Sequence, residues 1–289
     1  MSQLVQLTVY GLANGAVLAL AALGFVLIYK ATSVINFAQG EFLLIGGYMF
    51  YTAFVVFQLP WAAAVILGVV GAAALGIVIE RLVLRPLIGE DPIAVIMVTI
   101  GLAAVLRAVV QMFYGTTPRT MPAVLPTGSA DILGASVPVN RLFAIVVAAV
   151  VLGGFGAFFR WSRHGIAMRA VADDQQAALV QGISVHRIFA MAWAMAAVSA
   201  LIGGLLLADL TEVSQNLVGF GLIVFPVVIL GGLDSIPGTI VGGLTIGLIS
   251  QYAEGFSPGA SQVAPYIALV LILLVRPYGL FGQVRIERV

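Results

Sequence analysis

The sequence predicts an all-α, polytopic membrane protein with about eight to ten transmembrane helices, forming a single transmembrane domain over residues 1–289. Three observations carry that class. Hydrophobic residues make up 62% of the chain and charged residues only 9%, against about 45–50% and 25% in an ordinary soluble domain. The 25 charged side chains, 13 basic and 12 acidic, are too few to cover a soluble globule of 289 residues. A soluble enzyme, a nucleic-acid binder and a disordered chain are thereby excluded. The apolar runs are long and do not alternate, so they suit spanning helices of about 20 residues better than barrel strands of about ten.

Nine spans follow in chain order: 7–29, 37–57, 61–79, 93–114, 142–160, 187–208, 217–231, 237–254 and 263–276. The first is not a cleaved signal, because no Lys or Arg precedes it and its basic residue, Lys30, follows it. The positive-inside rule puts Lys30 in the cytoplasm and the N-terminus outside. Later loops keep that parity. Arg81 and Arg85 mark one cytoplasmic loop, Arg160, Arg163, Arg169 and Arg187 a second, and Arg276, Arg285 and Arg288 the C-terminal tail. On the opposite side only the loop 115–141 carries basic residues, Arg119 and Arg141. The seventh run is short and marked by Gly219, Gly221, Pro226, Gly231 and Gly232, as a broken or re-entrant span would be. Gly11 and Gly15, Gly238 and Gly242, and Gly243 and Gly247 are spaced four apart. Small residues at that spacing let helices approach closely in lipid, within the chain or at a subunit interface.

Several chemistries are missing. The chain has no cysteine, which removes disulfides, thiolate metal sites and cysteine nucleophiles. Its one lysine, Lys30, is followed by Ala31, so a G-x-x-x-x-G-K-[ST] phosphate loop is impossible. His164 and His186 have no metal-ligand spacing, and no G-x-S-x-G elbow occurs. No catalytic, cofactor-binding or metal-ligating residue is predicted.

Polar residues need a reason in three stretches. In 33–47, Asn36, Gln39 and Glu41 lie at the mouth of the second span. Asn36 and Gln39, three apart, suit a capping box; an ionisable group at the edge of hydrocarbon equally suits a transport path or its gate. In 162–187, Met168 to Val180 reads as one short amphipathic helix, with an i,i+4 pair between Arg169 and Asp173 and a stop at Gly182. A helix resting on lipid would carry Lys and Arg; paired aspartates (Asp173, Asp174) and glutamines (Gln175, Gln176) suit docking into a cytoplasmic protein better. In 229–247, Gly231, Gly232, Pro237 and Gly238 read as a tight turn, with Asp234 or Ser235 capping the next helix. Arg107, inside the fourth span, is read as snorkelling to its outer end.

At these stretches the sequence resembles the permease subunit of branched-chain amino acid ABC transporters. That family carries N-F-A-H-G-E near its second span, where residues 36–41 read NFAQGE. It carries a cytoplasmic G-R-A-M-R-A-V-A-E-D-x-x-A-A-x-x-G-I, where 165–183 read GIAMRAVADDQQAALVQGI. L-G-G-x-G-S-I-P-G-x-x-x-G-G corresponds to LGGLDSIPGTIVGG at 230–243, and P-x-G-L-F-G to the ending RPYGLFG at 276–282. The departures are Gln39 for the usual His and Asp234 for the usual Gly. The first removes a titratable group, and both could mark the relatives proposed to carry urea and short amides.

The resemblance implies an importer in the bacterial inner membrane with a homologous second permease subunit, two cytoplasmic ATPase subunits and an extracytoplasmic solute-binding protein. ATP and Mg would be bound on partner subunits, with no cofactor in this chain. Residues 169–182, including Arg169, Asp173, Asp174, Gln175 and Gly182, resemble the coupling helix that seats in the ATPase. The runner-up is a stand-alone secondary transporter or channel. Against it, Glu41, Glu80, Asp209, Asp234 and Glu254 all fall near predicted span ends, whereas ion-coupled carriers place carboxylates at mid-membrane.

Overall fold

Every apolar run becomes a helix. The computed structural model describes residues 2–282, so Arg285 and Arg288 of the predicted cytoplasmic tail lie outside the described residues. The helices are α1 (Ser2–Thr32), α2 (Gln39–Tyr51), α3 (Trp61–Ile79), α4 (Pro92–Tyr114), α5 (Val139–Trp161), α6 (Arg163–Asp173), α7 (Gln175–Val180), α8 (Val185–Leu210), α9 (Leu217–Gly231), α10 (Ile236–Phe256) and α11 (Ala264–Val275). α2 continues through a π-helical turn, Thr52–Val56, and α3 through a π-helical turn, Glu80–Leu84, and a 3-10 turn, Arg85–Leu87. Between α4 and α5 an antiparallel hairpin pairs β1 (Ser129–Ile132) with β2 (Ala135–Pro138), Ser129 facing Pro138.

Five helices among the described residues are long and apolar enough to cross a membrane alone: α1, α3 extended to Leu87, α4, α5 and α8. A sixth crossing follows if α9 and α10, bent by 119° at their junction, make one span. Nine separate crossings were expected; the difference lies in α2, α9 and α11, which have 13, 15 and 12 residues and fall short of the roughly 20 that hydrocarbon demands. The polytopic helical class stands, and the α9–α10 break is where glycine and proline predicted one.

α1 is the axle. Within its most apolar window 89% of residues are buried, against 17% in α4 and 22% in α5. It is apolar all round because protein surrounds it, as a helix without a polar face must be. The four-spaced glycines explain its closest neighbour. A Cβ on Gly15 would sit 2.7 Å from the Gly243 carbonyl oxygen, and one on Gly247 would sit 2.4 Å from the Gly15 Cα. α1 and α10 therefore cross backbone to backbone, and these glycines serve packing within one chain.

Side-chain ties sort the loops into two ends. At one, Lys30 Nζ donates to the Asp234 carbonyl at 3.2 Å, Glu80 pairs with Arg85, and Gln175 shares a cavity with Ser33 and Glu80. At the other, the Thr8 and Tyr252 hydroxyls meet at 2.7 Å, and Gln6 donates to the Ser136 carbonyl. There too the Val124 and Leu125 N–H groups donate to Asp209 Oδ1, and Arg119 and Val213 bridge through their backbones. Lys30, Arg81, Arg85, Arg160, Arg163, Arg169 and Arg187 gather toward the first end, Arg119 and Arg141 toward the second.

Candidate functional site

The polar cluster Asn36, Gln39 and Glu41 is not at the membrane edge, as expected, but inside the bundle. After α1 ends, the chain turns back through Ser33, whose φ of 57° allows the reversal, and α2 starts only at Gln39. Gln39 Nε2 donates to the Ala21 carbonyl at 3.0 Å, and its side chain lies over Gly24, where a Cβ would meet Nε2 at 2.5 Å. At 1.5 Å rise per residue, Ala21 is about 13 Å along α1 from Lys30 and about 20 Å from Thr8. α2 is thus a half-helix that begins near mid-depth.

The capping reading of this stretch holds in part. Asn36 Oδ1 accepts from Ala38 N at 3.0 Å, and its Nδ2 donates to Gln39 Oε1 at 3.4 Å. Gln39 does not close a capping box; it reaches across to α1. Thr99 on α4 completes the enclosure, its hydroxyl accepting from Phe37 N at 3.3 Å and donating to the Ile96 carbonyl at 2.8 Å. Phe37 packs on Phe225 of α9 with ring centroids 4.9 Å apart, and Phe225 meets Phe25 of α1 edge-on at 5.4 Å. Asn36, Gln39 and Thr99 are wholly buried, so each polar atom here needs the partners it has.

Glu41, 2% exposed, accepts from Arg107 Nη2 of α4 at 2.5 Å. The expectation that Arg107 snorkels outward is therefore wrong. Helical side chains lean toward their own N-terminus. Arg107 leans toward mid-depth, away from the outer end of α4, and meets a carboxylate there. Its side chain is 46% exposed beside a cavity of about 170 Å³ lined by Phe37, Gly40, Ile100, Ala103, Val218 and Leu222 among others. A lone arginine at the bilayer centre costs about 2.5–3.5 kcal/mol on insertion scales, and such groups face a bundle interior or water. Glu41 at this depth also removes the argument that all carboxylates sit near span ends.

The second candidate group lies on α6 and α7. One helix over Met168–Val180 was expected; there are two, parted at Asp174, whose backbone is extended (φ −155°). The residue is better used as a cap: its Oδ1 accepts from Gln176 N at 2.8 Å and Ala177 N at 2.9 Å, satisfying donors that α7 would leave unpaired. Arg169 does not pair with Asp173. Its guanidinium donates to the Phe159 carbonyl at the end of α5, where a cation suits the orphan carbonyls. Gly182, at φ 81°, ends α7 as predicted. Its N–H bonds the Leu179 carbonyl at 2.9 Å and Ile183 N bonds the Ala178 carbonyl at 3.0 Å, the two bonds of a Schellman stop. Asp173, Gln175, Gln176, Leu179 and Val180 form the exposed face.

The two groups are separate sites with one link. A cavity of about 330 Å³ at the Lys30 end is walled by Gln175 of α7, by Ser33, Val34 and Ile35 of the break before α2, and by the Glu80–Arg85 pair. Arg85 Nη2 reaches Glu80 Oε2 at 2.8 Å and Nε reaches Oε1 at 3.2 Å. Nearby, Ser235 rather than Asp234 caps α10, its Oγ accepting from Gly238 N at 3.0 Å. The RPYGLFG ending turns back on α9: Leu280 N donates to the Leu230 carbonyl at 2.8 Å and Phe281 N to the Gly231 carbonyl at 3.1 Å.

Thr99 and Arg107 were not singled out as site residues by sequence reasoning. Their signal was present: Thr99, Ala103 and Arg107 recur every four residues, one stripe of α4, in an otherwise apolar helix. Such a stripe points at a protein neighbour and not at lipid.

A helical membrane bundle whose polar groups converge at mid-depth on a half-helix, with a separate exposed helical hairpin at one end, has the build of a transport permease. Residues 7–275 match the family described as branched-chain amino acid transport system / permease component, and the chain belongs to that family. It is 30% identical over 294 residues to the high-affinity branched-chain amino acid transport system permease protein LivH of Salmonella typhimurium, covering 96% of each chain. It is 30% identical to BraD of Pseudomonas aeruginosa, a permease of the same description, covering 98% of this chain and 97% of that one. Among solved structures it is similar to PsaBC from Streptococcus pneumoniae in complex with Fab, with a TM-score of 0.44 and 14% identity over 92% of this chain and 89% of that one.

Proposed function

We propose that this chain is the membrane-spanning subunit of an ATP-driven importer for branched-chain or other small amino acids, in the bacterial inner membrane. The observation that carries the reading is the near-full-length similarity to LivH and BraD, permeases named for that transport. ATP hydrolysis belongs to partner chains, because Lys30 is the one lysine and cannot form a phosphate loop. The partners are a second permease subunit, two ATPase subunits with their ATP and Mg, and a solute-binding protein on the outer side. The Lys30 end, rich in arginine, faces the cytoplasm.

Asn36, Gln39 and Glu41 line the path or its gate, and the exposed face of α6–α7 meets the ATPase. Gln175 and Ser33–Ile35 share one cavity, so a displacement of α7 would be felt where the chain breaks before α2. Coupling of this kind needs contacts that differ between two states. The test replaces Asp173, Gln175 and Gln176 together with alanine, sparing the Asp174 cap. Membrane insertion should persist while co-purification of the ATPase falls. Unchanged co-purification and unchanged uptake would remove the coupling role from α6–α7.

A stand-alone carrier is the second reading, and Glu41 at mid-depth favours it. Uptake by this permease alone in liposomes, without ATPases, distinguishes the two. A transport assay on urea and short amides, against leucine and valine, addresses the departures at Gln39 and Asp234.

A further inference from the structure

We propose that the cleft between α2, α4 and α9 is a head-group subsite for a zwitterionic solute, in which Arg107 receives the carboxylate and Glu41 the ammonium. This rests on the reading of Asn36, Gln39 and Glu41 as part of the transport path, and it adds Arg107 and the charge pattern of the solute.

The argument begins with the two charges. Glu41 forms the floor of the cleft, 2% exposed, and Arg107 the rim, 46% exposed. Arg107 has five N–H donors in a planar fork, and among the described residues one bond, to Glu41, is made. Arg107 lines a cavity of about 170 Å³ whose other walls, Ile100, Ala103, Val218 and Leu222 among them, offer no acceptor side chain. Guanidinium recognises carboxylate with two parallel bonds, so the rim is prepared for a second carboxylate beside or instead of Glu41.

One wall of the cleft is set by backbone, where α9 packs on α2. A Cβ on Gly221 of α9 would lie against the Gly40 Cα of α2, so at this wall α9 is already as near to α2 as backbone allows. The volume of the cleft is below the roughly 300–1,000 Å³ of pockets that enclose a whole ligand. It therefore suits the head group of a solute rather than the whole of it.

Charge balance narrows the solute class. An ion pair and a zwitterion are each neutral as a whole, so exchange is matched group for group. The solute carboxylate takes the place of Glu41 on Arg107, and its ammonium takes the place of Arg107 on Glu41. No proton moves and no charge is left bare. A solute with one charge would take one partner out of the pair and leave the other bare, which is heavily penalised; a solute with none offers nothing in exchange, so the Arg107–Glu41 pair stays closed to it.

The absence of cysteine makes the test direct. Ala103→Cys places one thiol on the cleft wall; Val105→Cys, at the same depth but 59% exposed on another face of α4, is the control. The assembled importer, in liposomes and without ATP, is treated with a charged methanethiosulfonate reagent. Ala103→Cys should react faster than Val105→Cys, and leucine should slow it, while leucine amide, 4-methylpentanoate and urea should not. Adding Glu41→Gln and Arg107→Met together should abolish protection and lower leucine uptake by about tenfold or more, the worth of charge-assisted bonds to a desolvated group.

Equal reactivity at the two positions would mean the cleft is not a water-filled path. No protection by leucine, or equal protection by the amide and the acid, would mean it does not read a zwitterion. Either result overturns the proposal. ATP-driven leucine uptake by the unmodified importer is measured alongside: its failure counts against the amino-acid importer reading itself, whereas labelling and protection need neither ATP nor turnover.

Discussion

Three side chains show how far residue types alone carry the argument. Asn36, Gln39 and Glu41 stood out because polar groups in an apolar run require partners, and the fold supplies them all. What the types could not show is where those partners come from: Arg107 lies 66 positions from Glu41 in the chain, and only packing of α4 on α2 joins them. The pairing makes a prediction. Glu41→Gln alone leaves Arg107 without its counter-ion and should destabilise the detergent-solubilised protein by about 1–3 kcal/mol, below the 3–5 of a wholly buried pair because Arg107 is half exposed. Glu41→Gln with Arg107→Met should recover most of that loss in thermal unfolding; equal loss in both variants would mean the charges are not coupled. Asp174 offers a second case. Asp174→Ala removes the α7 cap and should cost about 1 kcal/mol locally, seen as faster amide exchange at Gln176 and Ala177. Asp174→Asn, which can still accept, should exchange as the parent does.

Helix positions were legible because a run of apolar residues without charge has one stable state in lipid. Helix interruptions were legible where glycine or proline announced them, as at Gly231–Gly238, or where polar residues parted two apolar runs, as between α1 and α2. What the sequence did not show is the depth of that second break, because the chain there is tied inside the bundle by Asn36, Gln39 and Thr99, through partners on α1 and α4. The split at Asp174 was hidden by good helix formers on both sides; a cap that takes two N–H groups outweighs propensities of a few tenths of a kcal/mol. Close crossings hold these pieces in place. Gly221→Val, with its first carbon 2.1 Å from the Gly40 Cα, must push α9 from α2, and overpacking of this kind costs about 1–3 kcal/mol. Gly219→Val, where a Cβ meets nothing within 4 Å, should be tolerated. Expression and thermal stability of the pair measure the difference.

At the scale of the molecule, few charges do much of the sorting. Arginines near one end, with Lys30, imply by the positive-inside rule that this end is cytoplasmic, with α8 and α10 running opposite to α1. That orientation predicts a labelling pattern in a chain free of cysteine: on intact cells an impermeant thiol reagent should modify Thr116→Cys and spare Gln176→Cys, and the reverse would invert the topology. With that orientation, the exposed face of α6–α7 and the cavity it shares with Ser33–Ile35 are on the cytoplasmic side, and the mid-depth cluster lies between them and the outer loops. On the proposed function, Asn36, Gln39 and Glu41 form the path and α6–α7 the place where it is pushed, while the one lysine, Lys30, rules out a phosphate loop in this chain. The most direct test of that claim is leucine uptake into proteoliposomes holding this permease and its partner permease, with the solute-binding protein present, measured with and without the ATPase subunits. Uptake should require both the ATPases and ATP. Accumulation of leucine by the permeases alone would contradict it.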